Sequence, residues 1–133
     1  MSDVTVVLIR SLVAAMNEPS GLPGADGPGD AWESFAIVLE FGDGYRSASG
    51  YAYAADGTVI PVACSWPSIL DAVNDYLGSH YEPGDPLPLK ILVQLDRAKG
   101  RYEVTFEESD AERWKTRPSN FRQMREELRP AFD

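Results

Sequence analysis

Residues 35–41 read FAIVLEF, and this stretch decides how the chain folds. Its large apolar side chains stand at every odd position and alternate with the alanine, valine and glutamate of positions 36, 38 and 40. A period of two is typical of a β-strand that buries one face. The stretch therefore predicts a strand, and the residues on either side of it predict how that strand is paired.

The residues that follow predict two tight turns and two more strands. Gly42-Asp43-Gly44 supplies the first turn, and a second alternating run covers residues 45–53. Asp56-Gly57 then predicts a type I′ hairpin turn, in which both central residues need positive φ. We expect a third strand, Thr58–Cys64, to return antiparallel to the second.

A second hairpin and three helices complete the pattern. Apolar residues alternate over 89–95, and residues 102–106 mirror them across a turn that contains Lys99-Gly100. Helical spacing of apolar residues predicts helices over 2–16, 65–78 and 118–130. Residues 17–30 are rich in proline and glycine and predict a surface loop.

The order of elements predicts the fold class. Strands that follow one another through tight turns pair antiparallel, and the helices must cover the sheet that they form. We therefore expect an α+β fold with an antiparallel sheet of about five strands and helices packed on one face. A chain of 133 residues fits a single domain spanning 1–133.

The charge of the chain restricts its partners. The net charge is −9, and the acidity is concentrated in residues 1–85, which hold 12 acidic and 2 basic residues against 9 and 10 in residues 86–133. Nucleic-acid affinity comes largely from Lys and Arg that neutralise phosphates, so DNA or RNA binding is disfavoured. A basic protein is the expected partner, although acidity also serves solubility alone.

The location predicted from the sequence is the cytoplasm. No apolar run approaches the roughly 18–20 residues that span a bilayer, and the N-terminal residues lack the order of a secretory signal. We therefore expect no membrane association. Cys64 is the single cysteine, which fits a reducing compartment and predicts a small buried side chain.

The sequence shows no arrangement typical of catalysis or of cofactor binding. With one histidine, His80, and one cysteine it cannot supply the four ligands of a structural zinc site. The glycines of residues 21–29 are not followed by the Lys-Ser/Thr of a phosphate-binding loop. His80 is expected at an exposed helix end, as a partner of the helix dipole. The prediction is a protein that is not an enzyme and has no metal and no cofactor.

Two groups of residues permit other interpretations. Glu107, Glu108, Asp110 and Glu112 crowd together after a strand. Carboxylate clusters bind cations or act in hydrolysis, but nearby Arg and Lys residues favour a solvated, charge-paired surface. Trp32, Trp66 and Trp114 stand near element boundaries, where we expect them to pack half-buried over the edge of the core, and the alternative is that they are aromatic residues of a binding site.

Several segments resemble a known family. Residues 47–61 (SASGYAYAADGTVIP), 69–83 and 89–108 (LKILVQLDRAKGRYEVTFEE) resemble the YezG-like immunity proteins, which are bacterial antitoxins paired with secreted toxins. Residues 113–130 (RWKTRPSNFRQMREELRP) are similar to the C-terminal end of actinobacterial members. The resemblance covers roughly residues 35–133. It implies an inhibitor that binds a cognate toxin, often a nuclease, inside the producing cell.

The resemblance and the charge together predict the contact residues. A nuclease presents a basic surface, so acidic residues are expected to meet its Arg and Lys side chains. The acidic residues assigned to this role are Glu40, Asp43, Asp56, Asp71, Asp75, Glu82 and Asp85. Tyr45, Tyr51 and Tyr53 are assigned as aromatic anchors, and the alternative is that these tyrosines line the core side of the sheet.

Two other functions compete with the immunity protein. One is a structural or regulatory interaction domain without a toxin, including a domain that associates with itself. The other is a small hydrolase or metal-dependent enzyme that uses the carboxylates of residues 107, 108 and 110.

Overall fold

The computed structural model describes residues 4–16, 32–42, 45–64, 66–82, 84, 88–110, 114 and 120–130. The elements, in chain order, are helix α1 (Val4–Met16), strands β1 (Trp32–Gly42), β2 (Tyr45–Ala54) and β3 (Val59–Ala63), helix α2 (Trp66–His80), strands β4 (Lys90–Asp96) and β5 (Arg101–Glu107), and helix α3 (Phe121–Glu127). The surface loop predicted over 17–30 and the turn residues 43 and 44 lie outside the described residues. In the described part of the chain, no helix is long and apolar enough to cross a membrane.

The five strands form one antiparallel sheet in the order β3-β2-β1-β4-β5. β1 lies at its centre and pairs with β2 on one side and β4 on the other, so that Ile37 is opposite both Gly50 and Val93. This arrangement confirms the predicted α+β class with a five-stranded antiparallel sheet. The tight connections explain the pairing of β1 with β2, of β2 with β3 and of β4 with β5, because a strand that returns through a short turn can only pair antiparallel with the strand before it.

The connection between β2 and β3 differs from the predicted turn. Of the two predicted turn residues, only Gly57 has positive φ, at 94°. The Gly57 N–H donates to the Ala54 carbonyl at 3.0 Å, and the Ala54 N–H donates to the Thr58 carbonyl at 2.9 Å. The loop is therefore three residues long, with glycine at its left-handed position, and the type I′ prediction was wrong in turn type although right in place.

One face of the sheet carries the larger core. This first face bears Phe35, Ile37 and Leu39 from β1, and all three are fully buried. It is covered by α1 and α2, whose buried residues are Leu8, Ile9, Leu12, Ala15 and Met16 in α1 and Ile69, Ala72, Val73, Tyr76 and Leu77 in α2. The predicted helical spacing of both segments is confirmed, and α2 runs two residues beyond Gly78, the predicted end.

The other face of the sheet is also covered, which the sequence analysis did not predict. This second face bears Ala36 and Val38, which are buried together with Trp114, Met124 and Leu128. Helix α3 therefore packs against the sheet from the side opposite α1 and α2, and the prediction that all helices share one face was wrong. The physical reason lies in β1, since a central strand with apolar residues at both even and odd positions must bury both of its faces.

A β-bulge decides which face Trp32 joins. The register of β1 against β2 shifts between Trp32 and Ser34, so Trp32 turns to the first face, where its ring meets Phe35 at 5.6 Å. The Arg97 guanidinium lies over the indole at 3.9 Å and donates to the Trp32 carbonyl oxygen. Trp32 and Trp114 are buried and only Trp66 is half-buried, so the half-buried prediction holds for one tryptophan of the three.

β1 and β2 approach closely at Gly50, so alanine substitutions at Gly50 and at Gly78 should change the stability of the fold in opposite directions. A Cβ at Gly50 would collide with the Ala36 carbonyl oxygen and lie 2.9 Å from the Ile37 Cα, so Gly50→Ala should destabilise the fold by about 1–3 kcal/mol. Gly78 lies within α2 with open space around its Cα, so Gly78→Ala should stabilise it by about 0.5–1 kcal/mol. Urea denaturation of both variants beside the wild type measures the two changes. Equal effects of the same sign would contradict this account of Gly50.

Candidate functional site

A cleft of about 410 Å³ opens on the second face of the sheet. Its floor is formed by β1, β2 and β3, and one wall is formed by Trp114 and by Leu128, which follows α3. The residues that line it are Val38, Glu40, Ser47, Ser49, Gly50, Tyr51, Pro61, Val62, Trp114 and Leu128. Its volume is within the range of about 300–1,000 Å³ that is typical of small-molecule sites.

Glu40 is the charged residue among those that line the cleft. It lies near the end of β1, directly opposite Lys90 of β4, and the Lys90 Nζ is 3.6 Å from the Glu40 Oε1. The Lys90 side chain is 6% exposed and the Glu40 side chain is 29% exposed. The lysine is therefore the buried member of the pair, while the carboxylate reaches the solvent of the cleft.

A second carboxylate stands on the far side of Lys90. In the β4–β5 register Lys90 is opposite Glu107, so Glu40, Lys90 and Glu107 form a row across three strands on the second face. A buried ammonium requires a counter-charge, and two acids around one base leave this row negative. The burial of Lys90 could not be predicted from the alternation of residues 89–95, because nothing in the sequence indicates a cover on this face.

Two aromatic side chains border the cleft. Tyr51 on β2 is half-buried, and Trp114 is 8% exposed. Trp114 has φ of 62°, the left-handed conformation that costs a non-glycine residue about 1–2 kcal/mol, and burial of its large indole offsets that cost. The sequence predicted Trp114 at the edge of the core, and its place in the wall of the cleft depends on the tertiary structure.

Leu128 is held in the cleft wall by a tertiary hydrogen bond. The Gln94 Nε2 of β4 donates to the Leu128 carbonyl oxygen at 2.7 Å, which anchors the end of α3 to the second face. The next residue, Arg129, lies over the Tyr53 ring at 4.9 Å and pairs with Glu126 at 3.1 Å. The wall therefore depends on contacts between segments that are far apart in the sequence.

The three tyrosines assigned as anchors occupy different environments. Tyr51 lines the cleft, whereas Tyr53 is 2% exposed and packs in the core of the second face, with its ring 6.5 Å from that of Tyr51. Tyr53 therefore follows the alternative interpretation, in which the tyrosine lines a core. The side chain of Tyr45 lies outside the described part of the structure.

The acidic residues assigned to partner binding do not share one face. Asp71 and Asp75 are exposed on α2, the helix that covers the first face, whereas Glu40 lies on the second face. Glu82 is exposed just after α2, and Asp56 lies in the loop between β2 and β3. Asp43 and Asp85 are outside the described residues. Of the assigned residues whose side chains the structure describes, only Glu40 and Tyr51 line the cleft.

One of the carboxylates considered for an enzyme, that of Glu107, has structural contacts. The Glu107 Oε2 accepts hydrogen bonds from the backbone N–H groups of Ser109 at 3.2 Å and Asp110 at 3.1 Å, so it closes the turn after β5. Within the described residues, no group of three or more His, Cys, Asp or Glu side chains is arranged to hold a metal ion. Glu107 therefore orders the chain locally.

His80 and Cys64 lie apart from the cleft. Cys64 is buried against α1, where its Sγ donates to the Leu12 carbonyl oxygen at 3.6 Å, as expected of a small core residue. The exposed His80 ring packs against Tyr76 at 4.5 Å and Phe106 at 5.6 Å. Phe106 also stacks on Tyr81, whose pKa is raised above its usual 10.0 by burial and by the neighbouring Glu108 carboxylate.

Comparison with known proteins finds no matching family model, no similar curated protein and no similar solved structure. The resemblance to the YezG-like immunity proteins therefore stays a prediction. The cleft itself defines the chemistry that it favours. A carboxylate beside two aromatic rings and two serine hydroxyls suits a cationic group on an apolar stem.

The geometry of Asp56 predicts how this carboxyl titrates. The Thr58 N–H donates to the Asp56 Oδ1 at 2.9 Å, and this bond, followed by one from the Thr58 side chain, lowers the pKa of Asp56 below its usual 3.8. A lowered pKa in the folded state stabilises the hairpin above the unfolded pKa, and this stabilisation is lost as the pH falls through the folded value. NMR titration of the Asp56 carboxyl carbon should give a midpoint below 3.8.

A variant that removes one donor is the control for this titration. Thr58→Val deletes the hydroxyl and keeps the backbone N–H, so the pKa of Asp56 should rise part of the way and remain below its usual value. A wild-type midpoint at or above the usual value would show that the carboxylate does not hold the turn.

Proposed function

We propose that this protein is a non-catalytic immunity protein, an antitoxin of the cytoplasm that binds a basic toxin and holds one of its cationic side chains in the cleft. The observation that supports the proposal is the position of Glu40. Its carboxylate is the charged group among the described residues that line a cleft bordered by Tyr51 and Trp114.

The chemistry of the cleft fits an arginine or lysine side chain. A carboxylate forms charge-assisted hydrogen bonds with guanidinium or ammonium, and the face of a tyrosine or tryptophan ring attracts the same cation. Val38 and Leu128 offer apolar surface to the methylene stem, and Ser47 and Ser49 offer hydroxyl acceptors. Buried anchors of this kind carry most of the binding energy of a protein interface.

Lys90 orients the Glu40 carboxylate for binding a cation. The ion pair, with the ammonium on the buried side, holds the carboxylate in one orientation while leaving it 29% exposed to the cleft. A carboxylate that is already ordered loses less conformational entropy when a partner binds. The pair therefore supplies preorganisation, and the arriving cation adds positive charge to a row that holds two acids and one base.

The remaining acidity assists the encounter. The net charge of −9 raises the local concentration of a basic protein around the molecule, and the exposed Asp71 and Asp75 extend this field on the α2 side. Charges outside the contact mainly change the rate of association, whereas buried anchors mainly change the rate of dissociation. The proposal thus assigns different kinetic roles to Glu40 and to the α2 acids.

The first experiment is capture from extracts of the producing organism at low and at moderate salt, followed by growth rescue. We expect a basic toxin domain to be retained at one-to-one stoichiometry and to stop killing cells when this protein is co-expressed. Ser49→Phe, which places a ring in the cleft, should weaken the complex by at least about tenfold through faster dissociation. Its matched control is Ala14→Phe, which adds the same ring to the exposed side of α1 and should leave the complex unchanged.

Two kinds of outcome would contradict the proposal. If the wild type and Ser49→Phe bind the partner with the same affinity, the contact lies outside the cleft. Failure to retain any basic protein, or retention without rescue of growth, would remove the immunity function itself.

Reversal of the α2 acids tests the predicted steering. Asp71 and Asp75 are exposed, so the double variant Asp71→Lys/Asp75→Lys should fold normally and associate with the toxin about threefold to tenfold more slowly at low salt. The difference should shrink at high salt because ions screen exposed charges. Stopped-flow association rates at several salt concentrations measure it. An unchanged rate at low salt would remove these two residues from the proposal.

A further inference from the structure

The two outer strands of the sheet differ in how they are protected. β3 has five residues and carries Pro61, which cannot donate a backbone hydrogen bond to another strand. β5 has seven residues, RYEVTFE, without proline or glycine. The β5 edge of the described sheet therefore has the length and the composition to pair with a further strand.

The sequence of β5 is complementary to itself. In an antiparallel pair of two β5 strands centred on Val104, Arg101 of each copy lies opposite Glu107 of the other, and Tyr102 lies opposite Phe106. Residues directly opposite in such a pair share one face of the sheet, so the opposite charges and the aromatic rings meet. We propose that β5 pairs in this register with β5 of a second copy of the chain, joining two sheets edge to edge.

The two neighbouring registers of the same pairing are less favourable. Moving the centre by one residue to Glu103 places the two copies of Glu103 opposite each other. Moving it to Thr105 places Glu103 opposite Glu107 twice. Like charges that are directly opposite destabilise a pair of strands, so the charge pattern favours the register centred on Val104. Charges on an edge strand commonly prevent association. In β5 their pattern instead favours pairing with β5 of a second copy.

The exposed aromatic residue of this edge supports the same pairing. Tyr102 is 43% exposed, more than any other large hydrophobic residue among those described. Phe106, which it would meet in the second copy, already packs against Tyr81 and Tyr76, with ring centroids 6.1 Å away in each case. The pairing therefore adds Tyr102 of the second copy to the aromatic cluster that Phe106 forms with Tyr76 and Tyr81.

The dimer and the proposed toxin site are compatible. The cleft is lined by residues of β1, β2 and β3, and β4 separates these strands from β5. Two clefts therefore stay open in the dimer. The inference does not rest on the immunity function, and its test needs no toxin.

Sedimentation equilibrium over a wide concentration range measures the pairing. Thr105 lies opposite Glu103 of the second copy in the proposed register, and its neighbour on β4 is the uncharged Leu92. Thr105→Lys adds two opposite-charge pairs and should tighten the dimer by about threefold to tenfold, whereas Thr105→Glu adds two like-charge pairs and should weaken it by a similar factor. Equal dissociation constants for the two variants would overturn the assignment of β5.

Crosslinking at the symmetry axis provides a second measurement. Opposite Cα atoms of antiparallel strands are about 4.5–5.5 Å apart, which a disulfide can bridge, so Val104→Cys should form a crosslinked dimer under mild oxidation. Ala98→Cys, in the exposed turn between β4 and β5, is the control and should not crosslink at the same rate. A wild-type protein that sediments as a monomer throughout, together with no preferential crosslinking at position 104, would overturn the proposal.

Discussion

Burial of β1 on both faces is the constraint on which the other elements depend. Every side chain from Phe35 to Leu39 is at most 5% exposed, and the strand is hydrogen-bonded to β2 and to β4 along its length. A strand in this position cannot present a face to water, so the rest of the chain must supply two covers. Helices α1 and α2 form the cover of the first face, and Trp114 and α3 form the cover of the second.

The two covers are unequal, and this inequality produces the candidate site. On the first face β1 carries large side chains under two helices of 13 and 15 residues, whereas on the second face it carries the smaller Ala36 and Val38 under a helix of 7 residues. Small side chains such as those of Ser47 and Ser49 leave space between the sheet and Trp114. Glu40 lies where β1 leaves that cover, so its carboxylate keeps contact with solvent while its partner Lys90 does not.

The local parts of the fold follow from sequence pattern because they depend on neighbours in the chain. Alternation over residues 35–41 and 89–95 predicted two of the strands, and helical spacing predicted α1 and α2. The hairpin at Gly57 was predicted in place, since glycine is strongly favoured where φ is positive. Its type was wrong because a three-residue loop and a two-residue loop contain the same Asp-Gly signal.

The candidate site was less predictable, because its residues are brought together by contacts between distant parts of the sequence. Tyr51 and Tyr53 have the same spacing and side-chain chemistry, yet Tyr51 lines the cleft while Tyr53 is buried beneath Arg129. Lys90 belongs to an alternating strand and reads as a surface charge until both faces of the sheet are known to be covered. Contacts such as the bond from Gln94 to Leu128 join residues 34 positions apart, and no local pattern records them.

The sequence by itself determined the strands, the three helices, the antiparallel sheet and the acidity of the chain, because these depend on short-range periodicity and on composition. Only the tertiary structure decided that α3 packs against the second face, that Glu40 and Tyr51 meet at a cleft while Asp71 and Asp75 do not, and that β5 forms an outer edge. The reason is that burial is a property of the whole assembly. The same alternating strand exposes its second face or buries it according to whether a distant segment has the apolar side chains to cover it.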